Sequence, residues 1–306
     1  MTKINWVFFG SSEFSVYVLD ELKIHNILPS LVITTPDKPK GRKLVLTPNA
    51  VKTWAENNNI EVIDPGSLRN NPDLVYSLSS KNYDLFLVAS YGKIIPKEIF
   101  ELPKHKTLNI HPSLLPKFRG ASPIQSQILN AAGPEQGEGK EREIGVTIMQ
   151  IEETMDTGPI VAQRPLPNPS PCQGEGQGTE GTWGEVGRKK LEKILAVEGA
   201  RLFAHVLPEW LQGAIDPIMQ NEDEATYCKK ITKEDGQINL EDDPYQNLLK
   251  IKAFEEWPTA YFFLGNKRII ITDATIEDNK LKILKVIPEG KREMPFADFM
   301  RGQKSL

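Results

Sequence analysis

The stretch that decides the fold runs from residue 83 to 111 and reads YDLFLVASYGKIIPKEIFELPKHKTLNIH. It holds an apolar run (85–89), a turn at Tyr91 and Gly92, a short amphipathic segment (96–102) and a second apolar run that ends on Asn109 and His111. Runs this continuous read as strands covered on both faces, with a helix between them. The same alternation repeats upstream. INWVFFG (4–10) precedes SVYVLDELKIH (15–25), PSLVITT (29–35) precedes PNAVKTWAENNN (48–59), and IEVIDP (60–65) precedes PDLVYSLSSKN (72–82). The pattern predicts an α/β domain with a Rossmann-like, mostly parallel sheet, to which IGVTIMQI (144–151) adds a further strand. Functional groups on such a sheet belong at the carboxyl ends of its strands, which is where Asn109 and His111 fall.

The chain has 306 residues, 39% hydrophobic and 25% charged, enough apolar material for one large or two ordinary domains. No apolar run reaches the length of a membrane span, and the N-terminus passes into a strand without a signal-peptide cleavage pattern. A cytoplasmic protein with no membrane partner is expected. Cys172 and Cys228 lie far apart, outside any metal-ligand spacing, so no disulfide framework and no metal site is expected. The formal net charge of -4 means that any nucleic acid has to be held by a local patch.

Two segments, 133–143 and 167–185, are rich in Gly, Glu, Gln and Pro and read as surface insertions without chemistry. A long helical stretch (187–213) then closes the first domain near Pro208. Beyond it come short β-rich runs and one clear helix, DPYQNLLKIKAFEEW (243–257). This predicts a catalytic domain over 1–208 and a smaller C-terminal β-barrel or sandwich over 209–306.

A dinucleotide site needs three spaced glycines after the first strand, and only Gly10 is there. His111 is one of four histidines. Asn109, two residues earlier on an extended chain, shares its side, so the two polar groups converge on one point. Donors aimed together suit an oxyanion that develops in acyl transfer. Asp156, in IEETMDTGPIVAQ (151–163), reads alone as a turn aspartate capping Thr157 and Gly158. With His111 on a neighbouring strand end, it can instead orient the imidazole, favour its protonated form and relay a proton. The constellation lacks an obvious nucleophile.

NIHPSLLPKFRGASPIQ (109–125), GVTIMQIEETMDTGPI (145–160), TTPDKPKGRK (34–43) and AFEEWPTAYF (253–262) together resemble the methionyl-tRNA formyltransferases, a branch of the folate-dependent formyltransferases. The resemblance spans nearly the whole chain, in the family's order. It implies the formyltransferase fold followed by an oligonucleotide-binding-type barrel. It carries the catalytic roles onto Asn109, His111 and Asp156, and the folate contact segment onto Ser113, Leu114, Leu115 and Pro116. The pterin is expected along LVASYGKII (87–95), with Val88, Tyr91 and Gly92 among its contacts. The implied formyl donor is 10-formyltetrahydrofolate, with no metal, and the implied partner is initiator Met-tRNA, whose methionine amine is the missing nucleophile. The resemblance places the tRNA acceptor end at the basic loop with Lys38, Lys40, Arg42 and Lys43, and the protein is expected to act as a monomer. Lys117 and Arg119 would add positive charge at the mouth of the site.

From residue 209 onward the chain carries 14 Lys plus Arg against 18 Asp plus Glu, so basic clusters rather than a basic domain must serve tRNA. The rival readings are a folate formyltransferase acting on an amino sugar nucleotide or a ribonucleotide amine, and a non-catalytic RNA-binding protein. The basic loop and the FEEWPTAYF segment favour tRNA, and the intact Asn109, His111 and Asp156 set favours catalysis.

Overall fold

The computed structural model describes residues 4–40, 45–131, 144–167 and 186–303. The chain begins with β1 (Trp6–Phe9), α1 (Glu13–Ile24), β2 (Leu31–Ile33), β3 (Lys38–Lys40), β4 (Val45–Thr47), α2 (Ala50–Asn57), β5 (Glu61–Ile63) and α3 (Pro72–Ser80). It continues with β6 (Leu85–Val88), α4 (Lys97–Phe100), β7 (Thr107–His111), β8 (Arg119–Gly120), α5 (Pro123–Leu129), β9 (Gly145–Gln150) and β10 (Ile160–Pro165). The remainder holds α6 (Arg188–Leu211), β11 (Tyr227–Cys228), α7 (Pro244–Ala253), β12 (Ala260–Leu264), β13 (Lys267–Glu277), β14 (Lys280–Pro288), β15 (Met294–Pro295) and α8 (Phe296–Gln303). Two compact units result. One comprises Met1–Arg119, Gly145–Pro165 and Glu192–Tyr227, the other Gly120–Ile144, Leu166–Leu191 and Cys228–Leu306.

In the first unit seven strands form a sheet in the order β10-β9-β7-β6-β1-β2-β5. From β5 across to β7 every pairing is parallel, as the alternating pattern predicts. Every residue of β1 and β6 is buried. Val7 and Phe9 enter one core cluster with Phe86, Val88, Tyr91 and Ile99. Trp6 enters the opposite layer, its ring 6.2 Å from that of Phe203 on α6. Two covered faces leave no wet position on these strands, hence their unbroken apolar sequence.

The strand β9 breaks the parallel order, running antiparallel to both β7 and β10. Its register sets Gln150 opposite Leu108, Met149 opposite Asn109 and Thr147 opposite His111. It therefore ends beside the start of β7, and the loop after it (151–159) has to run back along β7 to reach His111. Asp156 and His111 do not meet as neighbouring ends of parallel strands.

The helix expected over 187–213 is α6, with Pro208 inside it. Gly199 faces β7, where a Cβ would stand 2.5 Å from Ile110 Cγ2. The absent side chain lets the helix settle on the strand that carries Asn109 and His111. The expected basic loop is in part a hairpin, in which Lys38 on β3 pairs with Thr47 on β4 and Lys40 with Val45. Its root is fixed by Lys52, whose Nζ lies 3.3 Å from Asp37 and 2.7 Å from Asp64. Arg42 and Lys43 lie outside the described residues, as do 133–143 and 168–185.

The second unit carries the antiparallel sheet β12-β13-β14-β15. Leu248 and Ile251 of α7 and Phe299 of α8 share its core with Phe262, Ile269, Ile271 and Val286. The β-rich character matches the expectation, but α8 is a second helix where the sequence pattern indicated one. No described helix is long and apolar enough to cross a membrane.

Gly199→Ala is expected to destabilise the protein by ~1–3 kcal/mol through overpacking against Ile110. Urea unfolding checks this, and an unchanged midpoint would refute the close packing of α6 on β7.

Candidate active site

Hydrogen bonding to β6 on one side and β9 on the other fixes β7, and strand alternation puts Asn109 and His111 on one side of it. His111 is 4% exposed. Its Nε2 lies 3.2 Å from the Phe118 carbonyl oxygen and its Nδ1 lies 3.7 Å from Asp156 Oδ1. Asn109 is partly buried, and its side-chain amide has no hydrogen-bond partner among the described residues.

Burial dominates the titration of His111 and lowers its pKa from the ordinary 6.5, while the Asp156 charge and then the Phe118 carbonyl pull upward. Asp156 favours the protonated form, as expected, but desolvation of the imidazolium outweighs it and the net effect of the surroundings is toward the neutral ring.

The turn that presents Asp156 is unusual. Asp156 has φ of +58°, and a Cβ on Gly158 would stand 2.0 Å from the Gln150 carbonyl oxygen, so only glycine fits there. Gln220 Nε2 donates to the carbonyls of Asp156 and Gly158, at 2.9 and 2.8 Å.

In the segment after β7, Ser113 Oγ donates to the Lys117 carbonyl at 2.7 Å. Thr147 Oγ1 donates to the Ser113 carbonyl and accepts from the Leu115 N–H. Gln163 Nε2 donates to the Leu115 carbonyl and to Thr147 Oγ1. Ser113 and Leu115 are buried, whereas Leu114 and Pro116 are partly exposed. Ser113 thus shapes the turn.

Val88, at the end of β6, is registered beside both Phe9 and Asn109. Tyr91 is buried edge-on against Phe9 with ring centroids 5.5 Å apart, and burial pushes its hydroxyl up to about 12. Gly92 has φ of +75°. The side chains of Val88 and Tyr91 thus belong to the core.

Lys117 is exposed as expected, but Arg119 is fully buried and bonded to Gln220, Glu222 and Tyr227. Its charge is satisfied inside the fold and does not line a mouth. Sequence reasoning also missed the Phe118 carbonyl, Thr147 and Gln220. Gln220 stands 64 positions from Asp156, and no local pattern signals that contact.

This arrangement supplies hydrogen-bond donors and a proton carrier. The hydroxyls nearest the motif, on Ser113 and Thr147, both donate to carbonyls, so neither is paired with His111 as an activated nucleophile. Fold and site together define a formyl transferase: the family described as Formyl transferase matches residues 2–168, and its C-terminal domain matches 230–282. Methionyl-tRNA formyltransferase of Dictyoglomus thermophilum is 33% identical over 97% of this chain and 96% of its own length. That of a Sulfurihydrogenibium species is 37% identical over 91% and 82%. The chain belongs to the methionyl-tRNA formyltransferase family.

Among solved structures, methionyl-tRNA formyltransferase from Clostridium thermocellum matches with a TM-score of 0.57 at 17% identity, over 93% of this chain and 98% of its own. An N-formyltransferase from Helicobacter canadensis, in complex with folinic acid and dTDP-3-aminofucose, matches with a TM-score of 0.60 at 20% identity, over 90% and 88%. At such identities the likeness speaks to the fold.

The lowered pKa of His111 means that the unfolded chain binds this proton more readily than the folded one. Its contribution to stability is complete above about pH 6.5 and declines as pH falls below that value. Urea unfolding at about pH 7.5 and 5 is expected to show a larger acid loss in the wild type than in His111→Gln. Equal losses would contradict a buried neutral ring.

Proposed function

We propose that this enzyme transfers the formyl group of 10-formyltetrahydrofolate to the α-amino group of methionine on initiator tRNA, giving N-formylmethionyl-tRNA for translation initiation. The observation that carries the reading is the alternation of Asn109 and His111 on β7 with Asp156 Oδ1 3.7 Å from the imidazole, in a site whose neighbouring hydroxyls are spent on carbonyls. The folate supplies the formyl carbon and a nitrogen that departs, and the methionine amine supplies the attacking lone pair. The residues present fit such a ligand, because the Asn109 amide lacks a protein partner among the described residues. Asn109 donates a hydrogen bond to the formyl oxygen as negative charge develops on it, and the imidazole of His111, on the same side of β7, adds positive charge beside it when it takes up a proton. Asp156 steadies the imidazole and assists the proton that leaves the amine and ends on the departing nitrogen.

The segment from Ser113 through Leu114 and Leu115 to Pro116, with the turn from Val88 through Tyr91 to Gly92, holds the folate. Lys38, Lys40, Arg42 and Lys43 hold the acceptor end of the tRNA. Catalysis belongs to 1–208 and tRNA binding to 209–306, in a monomer that works in the cytoplasm. The relatives at 33 and 37% identity support a tRNA substrate over an amino sugar nucleotide.

Purified protein given 10-formyltetrahydrofolate is expected to formylate Met-tRNA and to leave amino sugar nucleotides unmodified, read by mass spectrometry of the released amino acid and of the nucleotide. The reverse preference would sink the tRNA reading. Asn109→Ala is expected to lower kcat by ~10²–10³ with little change in KM. Arg42→Ala should weaken Met-tRNA binding and reduce the slope of log affinity against log salt by about 1. An unchanged slope would remove Arg42 from tRNA contact.

A further inference from the structure

The buried Arg119 side chain is used completely. Nε and Nη2 donate to Gln220 Oε1 at 3.0 and 2.9 Å, and Nη1 and Nη2 donate to the two Glu222 carboxylate oxygens at 2.8 Å each. Nη1 also donates to the Tyr227 hydroxyl at 3.1 Å. Five donors have five contacts. The bidentate Glu222 carboxylate already neutralises the guanidinium, so pairing the buried charge does not require Gln220.

Gln220, itself buried, has another role. A guanidinium accepts no hydrogen bond, so the Gln220 oxygen must face Arg119 and its NH₂ must face away. Both of its donors then go to the Asp156 and Gly158 carbonyls. This holds Asp156 in its left-handed conformation, with the carboxylate at His111 Nδ1.

The main chain of Arg119 secures the opposite side of the ring. Its N–H donates to the Thr226 carbonyl at 2.9 Å, and the Phe118 N–H donates to Thr226 Oγ1 at 2.8 Å. Phe118, at φ of +62°, is thereby fixed with its carbonyl at His111 Nε2.

We propose that Arg119 and Gln220 are positioning residues that set both contacts of the catalytic imidazole, Asp156 through the Gln220 amide and Phe118 through the adjoining main chain. The proposal rests on the formyl-transfer reading for its kinetic consequence, though not for its structural one. The loop that carries Asp156 is returned to His111 by a side chain 64 positions away, and that side chain is oriented by another 101 positions away.

The test compares wild type with Gln220→Glu and Gln220→Leu. The glutamate still accepts from Arg119 but gives the two carbonyls no donor. The leucine removes both functions. Expected for Gln220→Glu are a urea midpoint near that of wild type, kcat lowered about 10–100-fold and KM for folate and Met-tRNA within about twofold. The ¹⁵N spectrum of the His111 imidazole, assigned with His111→Gln, is expected to change in both variants. A folded Gln220→Glu protein with wild-type kcat and an unaltered His111 spectrum would overturn the proposal, as would a fall in kcat without a spectral change. If wild type forms no formyl-methionine, the functional reading fails, and the His111 spectra still decide whether Gln220 positions the ring.

Discussion

The imidazole of His111 lies between two acceptors, and its environment pulls it in opposite directions. The Phe118 carbonyl and the Asp156 carboxylate favour a doubly protonated ring, while burial favours the neutral one and prevails. A neutral ring donates through one nitrogen only, so one acceptor is left facing a lone pair. Such a contact relaxes unless the groups around it are held. Both acceptors belong to residues with positive φ, Phe118 and Asp156, a conformation that persists where surrounding bonds over-determine it. Much of the site, from the Thr226 contacts to the Gln220 amide, supplies those bonds. Proton affinity is held back by burial, and two acceptors stand ready to stabilise the charge when a proton arrives.

The sheet sets this up through one reversal. The parallel strands bring Val88 and Asn109 to a common edge. The antiparallel β9 then supplies Thr147 beside His111 and sends the chain away from it. Returning Asp156 requires a loop that folds back against its own strand. The crowding of Gly158 on the Gln150 carbonyl marks that reversal.

The sequence made part of this legible. Continuous apolar runs identified the parallel strands because both of their faces are covered, and the spacing of Asn109 and His111 disclosed a shared side because strand geometry has a period of two. The pairing of Asp156 with His111 was visible in the motif, but not its path, since antiparallel and parallel strands carry the same apolar text when both faces are buried. The role of Arg119 was misread for a related reason. A basic residue beside Lys117 looks solvated until its partners are known, and these lie about a hundred positions away. Local periodicity carries no record of such contacts. The ionisation of His111 was equally hidden, because the depth of burial is a property of the assembled fold.

The root of the β3–β4 hairpin has a consequence of its own. Lys52 bridges Asp37 and Asp64 there, and all three side chains keep some contact with solvent. Dissolved ions weaken partly exposed pairs of this kind. If the hairpin grips an anionic chain, salt loosens the handle as well as the grip. The measured dependence on ionic strength would then be steeper than the number of neutralised phosphates accounts for.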